Sequence, residues 1–186
     1  MPKHYVTRIE LLDVEPAIWR QILIPDDMPL YEIGAVLIGA MGWQGYHMFA
    51  FEFDGQRYDM KFDGGLDLED SKDMEGVIAR DVFRPGVEAA FQYDFGDDWW
   101  HGIKVLEHRA TETGDKPPRC TGGENACPPE DTGGPFGFEE MRAAAGDPAH
   151  PDHDEMREYL GDFDPHAFDA KKADRNLRKV LKAFRK

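Results

Sequence analysis

The chain has 186 residues, of which 41% are hydrophobic and 12% aromatic, a composition that predicts one globular domain over residues 1–186 and excludes general disorder. Its 22 basic and 37 acidic residues give a net charge of −15, which opposes non-specific attraction to nucleic acid and anionic lipid. The opening MPKHYVTRIE lacks the apolar core of a secretory signal and no apolar run has the length of a membrane span, so we expect a cytoplasmic protein with reduced thiols.

The first half of the chain predicts strands with one inserted helix. Alternating apolar residues in HYVTRIELLD and AIWRQILIP predict two strands that pair antiparallel. The segment DDMPLYEIGAVLIGAMGW has apolar residues at helical spacing, with Asp27 as the expected cap. Next, Asp54-Gly55 is a strong hairpin signal between two short strands, and residues 61–75 have the acidic, glycine-containing composition of a surface loop.

The second half begins with another strand pair and continues with helices. VEAAFQYDF and WWHGIKVLEH predict an antiparallel pair that turns at residues 96–98. Residues 109–136 have little regular pattern and are predicted to form a long loop, either disordered or, as their Gly and Pro content suits at least as well, tightly routed and functional. Three helical patterns follow. This order predicts an α+β fold: a largely antiparallel sheet with one early inserted helix and a C-terminal helical segment.

The last predicted helix is basic. Residues 171–186 contain eight basic residues and one acid, in contrast to the acidic remainder of the chain. Leu177, Val180, Leu181 and Phe184 give this helix one apolar face, which favours docking on the body. A solvated or docked helix and a nucleic-acid-binding helix both remain open.

The stretch QYDFGDDWWH, residues 92–101, concentrates acids, tryptophans and a histidine at one strand junction. Turn chemistry accounts for part of it, with Gly96 supplying a positive φ and an aspartate bonding the backbone. In an extended strand, Trp99 and His101 share one face while Trp100 points to the other. Turn chemistry does not account for His101, so this histidine is a candidate ligand-binding residue.

The later stretch RCTGGENACPPEDTGGPFGF carries the two cysteines of the chain. If this loop covers the His101 face, a zinc site of His101, Cys120, Cys127 and Asp131 becomes possible. The alternative is that both cysteines are structural, because C-x6-C is not a standard zinc-finger spacing. The prolines before Glu130 and Asp131 fix φ, and Gly133-Gly134 permit conformations closed to other residues, so the segment is predicted to hold the two acids in place. These acids either brace the next helix or bind a ligand.

Five motifs in fixed order carry a family resemblance: PAIWRQILIP, GAMGWQGYHMFAFEFDGQRY, YDFGDDWWH, CTGGENACPPEDTGGPFGF and GDFDPHAFD. Together they resemble the plasmid pRiA4b ORF-3-like family, whose relatives are also labelled transposon passenger proteins of TnpR type. The resemblance implies an α+β domain, often near mobile elements, without an established activity. The family commonly has a polar residue where Trp100 stands here, which puts a polar role for that position in doubt.

The leading functional hypothesis is a non-catalytic binding or interaction module for an unknown protein partner or small ligand. One alternative is a metal-dependent, hydrolase-like enzyme that uses Asp97 and His101 with the Cys120/Glu130 region. The other is nucleic-acid binding through the basic helix. The candidate surface residues are Trp43, His47, Tyr93, Asp94, Asp97, Asp98, Trp99, Trp100, His101, Glu130 and Asp131.

Overall fold

The computed structural model describes residues 1–61 and 70–185, and its strands form one sheet. In chain order the strands are β1 (Lys3–Leu11), β2 (Ile18–Pro25), β3 (Phe49–Phe53), β4 (Gln56–Asp59), β5 (Ser71–Asp73), β6 (Ala89–Tyr93), β7 (Trp99–Ala110) and β8 (Arg119–Glu124). Their order across the sheet is β5-β4-β3-β6-β7-β1-β2-β8, and only β4 and β5 run parallel. The predicted α+β fold with a largely antiparallel sheet is confirmed.

Three predicted hairpins supply most of this sheet. β1 pairs with β2 in the register Ile9↔Arg20, β3 pairs with β4 around Asp54-Gly55, and β6 pairs with β7. The alternation that predicts β1 is also the alternation of burial, since Ile9 and Leu11 point into the core. Local pattern therefore determines these strands, while the central β7 joins the two halves by pairing with β1.

Among the described residues, five helices accompany the sheet: α1 (Leu30–Met41), α2 (Ala79–Val82), α3 (Gly134–Gly146), α4 (His153–Leu160) and α5 (Ala170–Phe184). α1 is buried along most of its length between the sheet and α5. A Cβ at Gly34 would overlap the Phe49 ring of β3, and one at Gly39 would lie 2.6 Å from the Leu177 Cα of α5. These small residues let both layers approach α1 closely.

The apolar face of α5 docks as predicted. Leu177, Val180 and Leu181 are buried against the body, and Asn176 Nδ2 donates a 2.9 Å hydrogen bond to the Gly39 carbonyl oxygen. Among the basic residues of α5, Arg178 pairs with Asp174. Arg185, just after the helix, pairs with Glu32 of α1. The other basic residues of α5 are exposed, so a basic surface persists on a docked helix: Lys171, Lys172, Arg175, Lys179 and Lys182.

Three local expectations need correction. Asp27 does not cap α1, which begins after Pro29, where φ is −58°. Part of the predicted loop at 61–75 forms the short edge strand β5, and residues 62–69 lie outside the described residues. The predicted loop at 109–136 contains β8, whose sequence RCTGGE has no apolar alternation because it is an edge strand paired only with β2. Within the described ranges, no helix has the length and apolar character needed to cross a bilayer.

Candidate functional site

Three loops meet at one end of the central strands: residues 43–48 after α1, residues 94–98 between β6 and β7, and residues 128–134 before α3. The sheet brings the first two together because Phe49 at the start of β3 pairs with Tyr93 at the end of β6. The Asp94 backbone N–H then donates to the Met48 carbonyl oxygen at 2.9 Å. We call these segments the three-loop surface.

Polar contacts fix the third loop to the first loop and to the end of β6. Tyr93 Oη donates to Glu130 Oε1 at 2.9 Å, and the Gln44 backbone N–H donates to the same oxygen at 2.8 Å. Trp43 stacks on the Tyr93 ring and its Nε1 donates to the Pro128 carbonyl oxygen at 2.9 Å. Burial and the Glu130 carboxylate raise the pKa of Tyr93, which keeps its phenol protonated as a donor.

The second loop contacts the third through Asp97. Asp97 Oδ2 accepts a 3.0 Å hydrogen bond from the Gly133 backbone N–H. At Gly134, where φ is +72°, an added Cβ would lie 2.1 Å from the Asp97 carbonyl oxygen. The double glycine is thus required both by its backbone conformation and by the closeness of the turn, in agreement with the predicted restriction of this loop.

The turn itself differs from the expectation in one respect. Asp94 and Asp98, not Gly96, adopt positive φ values, of 56° and 58°. Aspartate tolerates this region because its short side chain bonds the local backbone. Here Asp94 Oδ1 accepts from the Gly96 backbone N–H at 3.0 Å, and the Asp98 carboxylate accepts from Gln92 Nε2. A Cβ at Gly96 would lie 3.3 Å from Asp94 Oδ1, a tight contact, whereas the φ of Gly96 does not require glycine.

His47 lies where the three loops converge. Its Nε2 is 3.0 Å from Asp131 Oδ1 and 3.4 Å from Asp94 Oδ2. One ligand atom of each of these residues lies within 4.8 Å of the others. Among the described residues this nitrogen is buried without a hydrogen-bond partner, although the His47 side chain is 31% exposed. The structure therefore brings together two acids and a histidine from three separate segments.

His101 does not join them, and the expectation that it binds a ligand needs correction. It is fully buried, with the edge of its ring against Trp43 and its Nδ1 3.1 Å from the Phe91 carbonyl oxygen. A carbonyl only accepts, so Nδ1 donates. Burial lowers the pKa of His101 to about 4, which keeps it neutral at ordinary pH. His101 is a core histidine, and the enzyme hypothesis built on it loses its central residue.

The predicted zinc ligands are not assembled either. In the part of the chain that the structure describes, His101, Cys120 and Cys127 do not gather around one point with Asp131. Both cysteines are free, and burial raises the pKa of both thiols despite the nearby Arg20. The structural alternative for the cysteines agrees with this placement.

The tryptophans divide as the strand geometry predicts. Trp99 and His101 point into the core, and Trp100 on the opposite face is half-buried. Trp43 is also buried, in contact with both Tyr93 and Trp99. Of the aromatic candidates, Trp43 and Tyr93 therefore support the three-loop surface from below instead of forming its exposed face.

Several surface residues are missing from the sequence-based candidates. Exposed apolar side chains lie in or next to the three loops: Tyr46, Met48, Phe95 and Phe136. Tyr159 of α4 also contributes, because its hydroxyl donates to the carbonyl oxygens of Glu130 at 3.1 Å and Asp131 at 3.4 Å. The four apolar residues could have been predicted from the sequence, because apolar side chains in or next to turn segments are often exposed. Nothing in the sequence indicates the contact that Tyr159 makes.

The comparisons with known proteins agree with this architecture. An uncharacterized protein of Sinorhizobium fredii, y4hQ, is 34% identical over 167 residues, which cover 84% of this chain and 80% of that relative. The crystal structure of MM3350, a protein of unknown function from Methanosarcina mazei, superposes with a TM-score of 0.82 at 28% identity, covering 92% of this chain and 97% of that one. The family model described as plasmid pRiA4b ORF-3-like protein matches residues 3–172. This chain belongs to the plasmid pRiA4b ORF-3-like family.

Proposed function

We propose that this protein is a binding module whose three-loop surface takes up a segment of a partner protein. The observation that carries the proposal is the convergence of three loops on His47, with acids and exposed apolar side chains at one end of a rigid sheet. Binding residues are often placed on loops held by such a scaffold.

Apolar exposure supports a protein partner. Phe136 is 86% exposed, Tyr46 is 71% exposed and Met48 is 51% exposed, and Phe95 also reaches solvent. Aromatic residues and methionine are enriched at the centres of protein interfaces, where charged residues are depleted. Four such residues beside one loop cluster form a more specific signal than single exposed apolar residues.

Two clefts of the protein lie away from the three-loop surface. One cleft lies over β1 and β7, lined by residues such as Arg8 and Lys104, and another lies beside α5 near Phe168. Neither is lined by the exposed apolar residues of the three-loop surface. Small-molecule sites are usually concave, whereas protein interfaces are often flatter.

Preorganisation supports binding over a purely structural role for the surface. Tyr93, Glu130 and Gln44 hold the loops together from beneath, so the exposed side chains are presented by a backbone that is already ordered. A partner would then lose less free energy to loop ordering on binding. We place the module in the cytoplasm, which the two free thiols support, and the family description supports a link with plasmids.

Site-specific photo-crosslinking in living cells tests the proposal. A photoreactive phenylalanine analogue is introduced at Phe136 or at Tyr46, and a matched control carries it at Glu112, an exposed position beyond the opposite end of β7. We expect both surface positions to capture the same protein and the control not to capture it. Purified partner should then bind the wild type but lose at least about tenfold in affinity for Phe136→Asp.

Two outcomes would contradict the proposal. One is capture of the same proteins from Glu112 as from the three-loop surface, and the other is no capture from either surface position. Nucleic-acid binding through α5 remains a separate prediction, favoured by its outward basic charge, and it requires an affinity that falls steeply with salt.

A further inference from the structure

We infer that His47, Asp94 and Asp131 form a binding site for one divalent transition-metal ion. Their three ligand atoms lie within 4.8 Å of one another, and the two separations from His47 Nε2 are 3.0 and 3.4 Å. Adjacent ligands around an ion that is about 2.1 Å from each of them are roughly 3.0 to 3.5 Å apart in octahedral or tetrahedral coordination. The two separations from the histidine therefore already match the spacing of neighbouring ligands in a coordination shell.

The carboxylates are oriented for this role. Asp94 uses Oδ1 to accept from the Gly96 backbone N–H, which leaves Oδ2 directed at His47. Asp131 is 65% exposed at its side chain, but its backbone is fixed by the hydrogen bond from Tyr159. Hydrogen bonds behind metal ligands commonly set their orientation in this way.

The histidine is oriented as well. Its ring meets the Tyr93 ring edge-on at a centroid distance of 5.9 Å. Within the described residues its Nε2 is buried and is not aligned for a hydrogen bond to either carboxylate, although Asp131 Oδ1 is 3.0 Å away and Asp94 Oδ2 is 3.4 Å away. A polar nitrogen in that position normally has a partner. A metal ion between the three groups would be that partner.

The donor set limits the choice of ion. One imidazole nitrogen and two carboxylate oxygens suit Zn²⁺ or Mn²⁺, because imidazole favours later transition metals and carboxylate is accepted by both ions. The two aspartates also neutralise a divalent charge. Three protein ligands leave at least one coordination position for water or for a group of a bound molecule.

The inference extends the proposed function without depending on it. Metal binding is measured on the purified chain alone, whereas partner capture is measured in cells at Phe136 and Tyr46. A failure to bind metal would therefore leave the partner-capture result intact, and a failure to capture a partner would leave the metal-binding result intact. If both hold, the ion removes the repulsion between Asp94 and Asp131 at the centre of an otherwise apolar interface.

The test is isothermal titration of tag-free, chelator-treated protein with ZnCl₂ and, separately, with MnCl₂. We expect one equivalent of at least one of these ions to bind to the wild type. His47→Ala and Asp131→Asn should each weaken binding at least about tenfold, since even changes behind a metal ligand cost about 10- to 100-fold. Asp131 is exposed and asparagine tolerates its φ of 58°, so this variant should stay folded even if His47→Ala does not.

Two controls separate this site from its neighbours. Asp98→Asn changes an acid of the same turn that also has a positive φ and should leave the affinity unchanged. Cys127→Ala should likewise retain binding. The inference is overturned if neither ion binds to the wild type, if Asp131→Asn binds as tightly as the wild type, or if Cys127→Ala abolishes binding while Asp131→Asn preserves it.

Discussion

Tyr93 and Glu130, which are 37 positions apart in the sequence, are joined by a 2.9 Å hydrogen bond from the phenol to the carboxylate. Glu130 also accepts from the Gln44 backbone, so this one carboxylate connects the loop after α1, the end of β6 and the loop before α3. The three-loop surface is therefore a single preorganised unit.

Tyr93→Phe should destabilise the fold by about 1.5 to 3 kcal/mol, because the carboxylate loses a charge-assisted hydrogen bond in a largely buried setting. Urea unfolding measures the change. Tyr46→Phe removes the hydroxyl of an exposed tyrosine in the adjacent loop and should change the unfolding free energy by less than about 0.5 kcal/mol. Equal effects of the two variants would show that Tyr93 does not connect the loops energetically.

Gly134→Ala should be among the most damaging small substitutions. The new Cβ would overlap the Asp97 carbonyl oxygen and the residue would be held at a φ of +72°, so we expect a loss of about 3 kcal/mol or more. Gly146→Ala at the end of α3 meets open space and should be neutral within about 0.5 kcal/mol. Thermal melting of both variants checks the contrast, and a wild-type melting temperature for Gly134→Ala would refute the close contact.

His101 should make stability fall as the solution is acidified. Burial lowers its pKa from the ordinary 6.5 to about 4, so between these values the unfolded chain takes up a proton that the folded chain excludes. Stability from this source is complete above pH 6.5 and decreases toward pH 4, by about 3 kcal/mol in total. Burial also lowers the pKa of His4, which adds a slope of the same sign.

The comparison that isolates His101 is the pH dependence of His101→Asn. Asparagine does not titrate and keeps a donor for the Phe91 carbonyl oxygen. Urea unfolding at several values between pH 4 and 7 should give this variant a shallower dependence than the wild type, whatever its absolute stability. An unchanged slope would mean that His101 takes up its proton in the folded protein at the same pH as in the unfolded chain.

Leu177→Ala should lower the free energy of unfolding by about 2 to 5 kcal/mol, because Leu177 of α5 is fully buried where this helix packs against Gly39 of α1. Lys179→Ala, on the exposed face of the same helix, should cost less than about 0.5 kcal/mol. Chemical denaturation measures both. The same packing means that deletion of residues 171–186 would disrupt the fold, so nucleic-acid binding by α5 is better tested by replacing its exposed lysines.

Much of the fold follows from local pattern. Alternation predicts β1, β2 and β7, helical spacing predicts α1 and α5, and Asp54-Gly55 predicts its hairpin, because each signal comes from residues that are neighbours in the chain. β8 escapes prediction for the same reason. Its pairing depends on the backbone of β2, about a hundred residues away, and its own side chains show no periodicity.

The candidate site likewise has parts that local sequence predicts and parts that depend on contacts between distant segments. The sequence by itself identified the family, the acidic turn at 94–98, the restricted loop at 130–134 and His47 as a candidate. It did not show which histidine faces the acids, since strand alternation placed His101 on one face without indicating whether that face was core or surface. Only the tertiary structure decided that His101 lies in the core while His47 meets Asp94 and Asp131, because contacts between distant segments depend on strand order across the sheet and on burial.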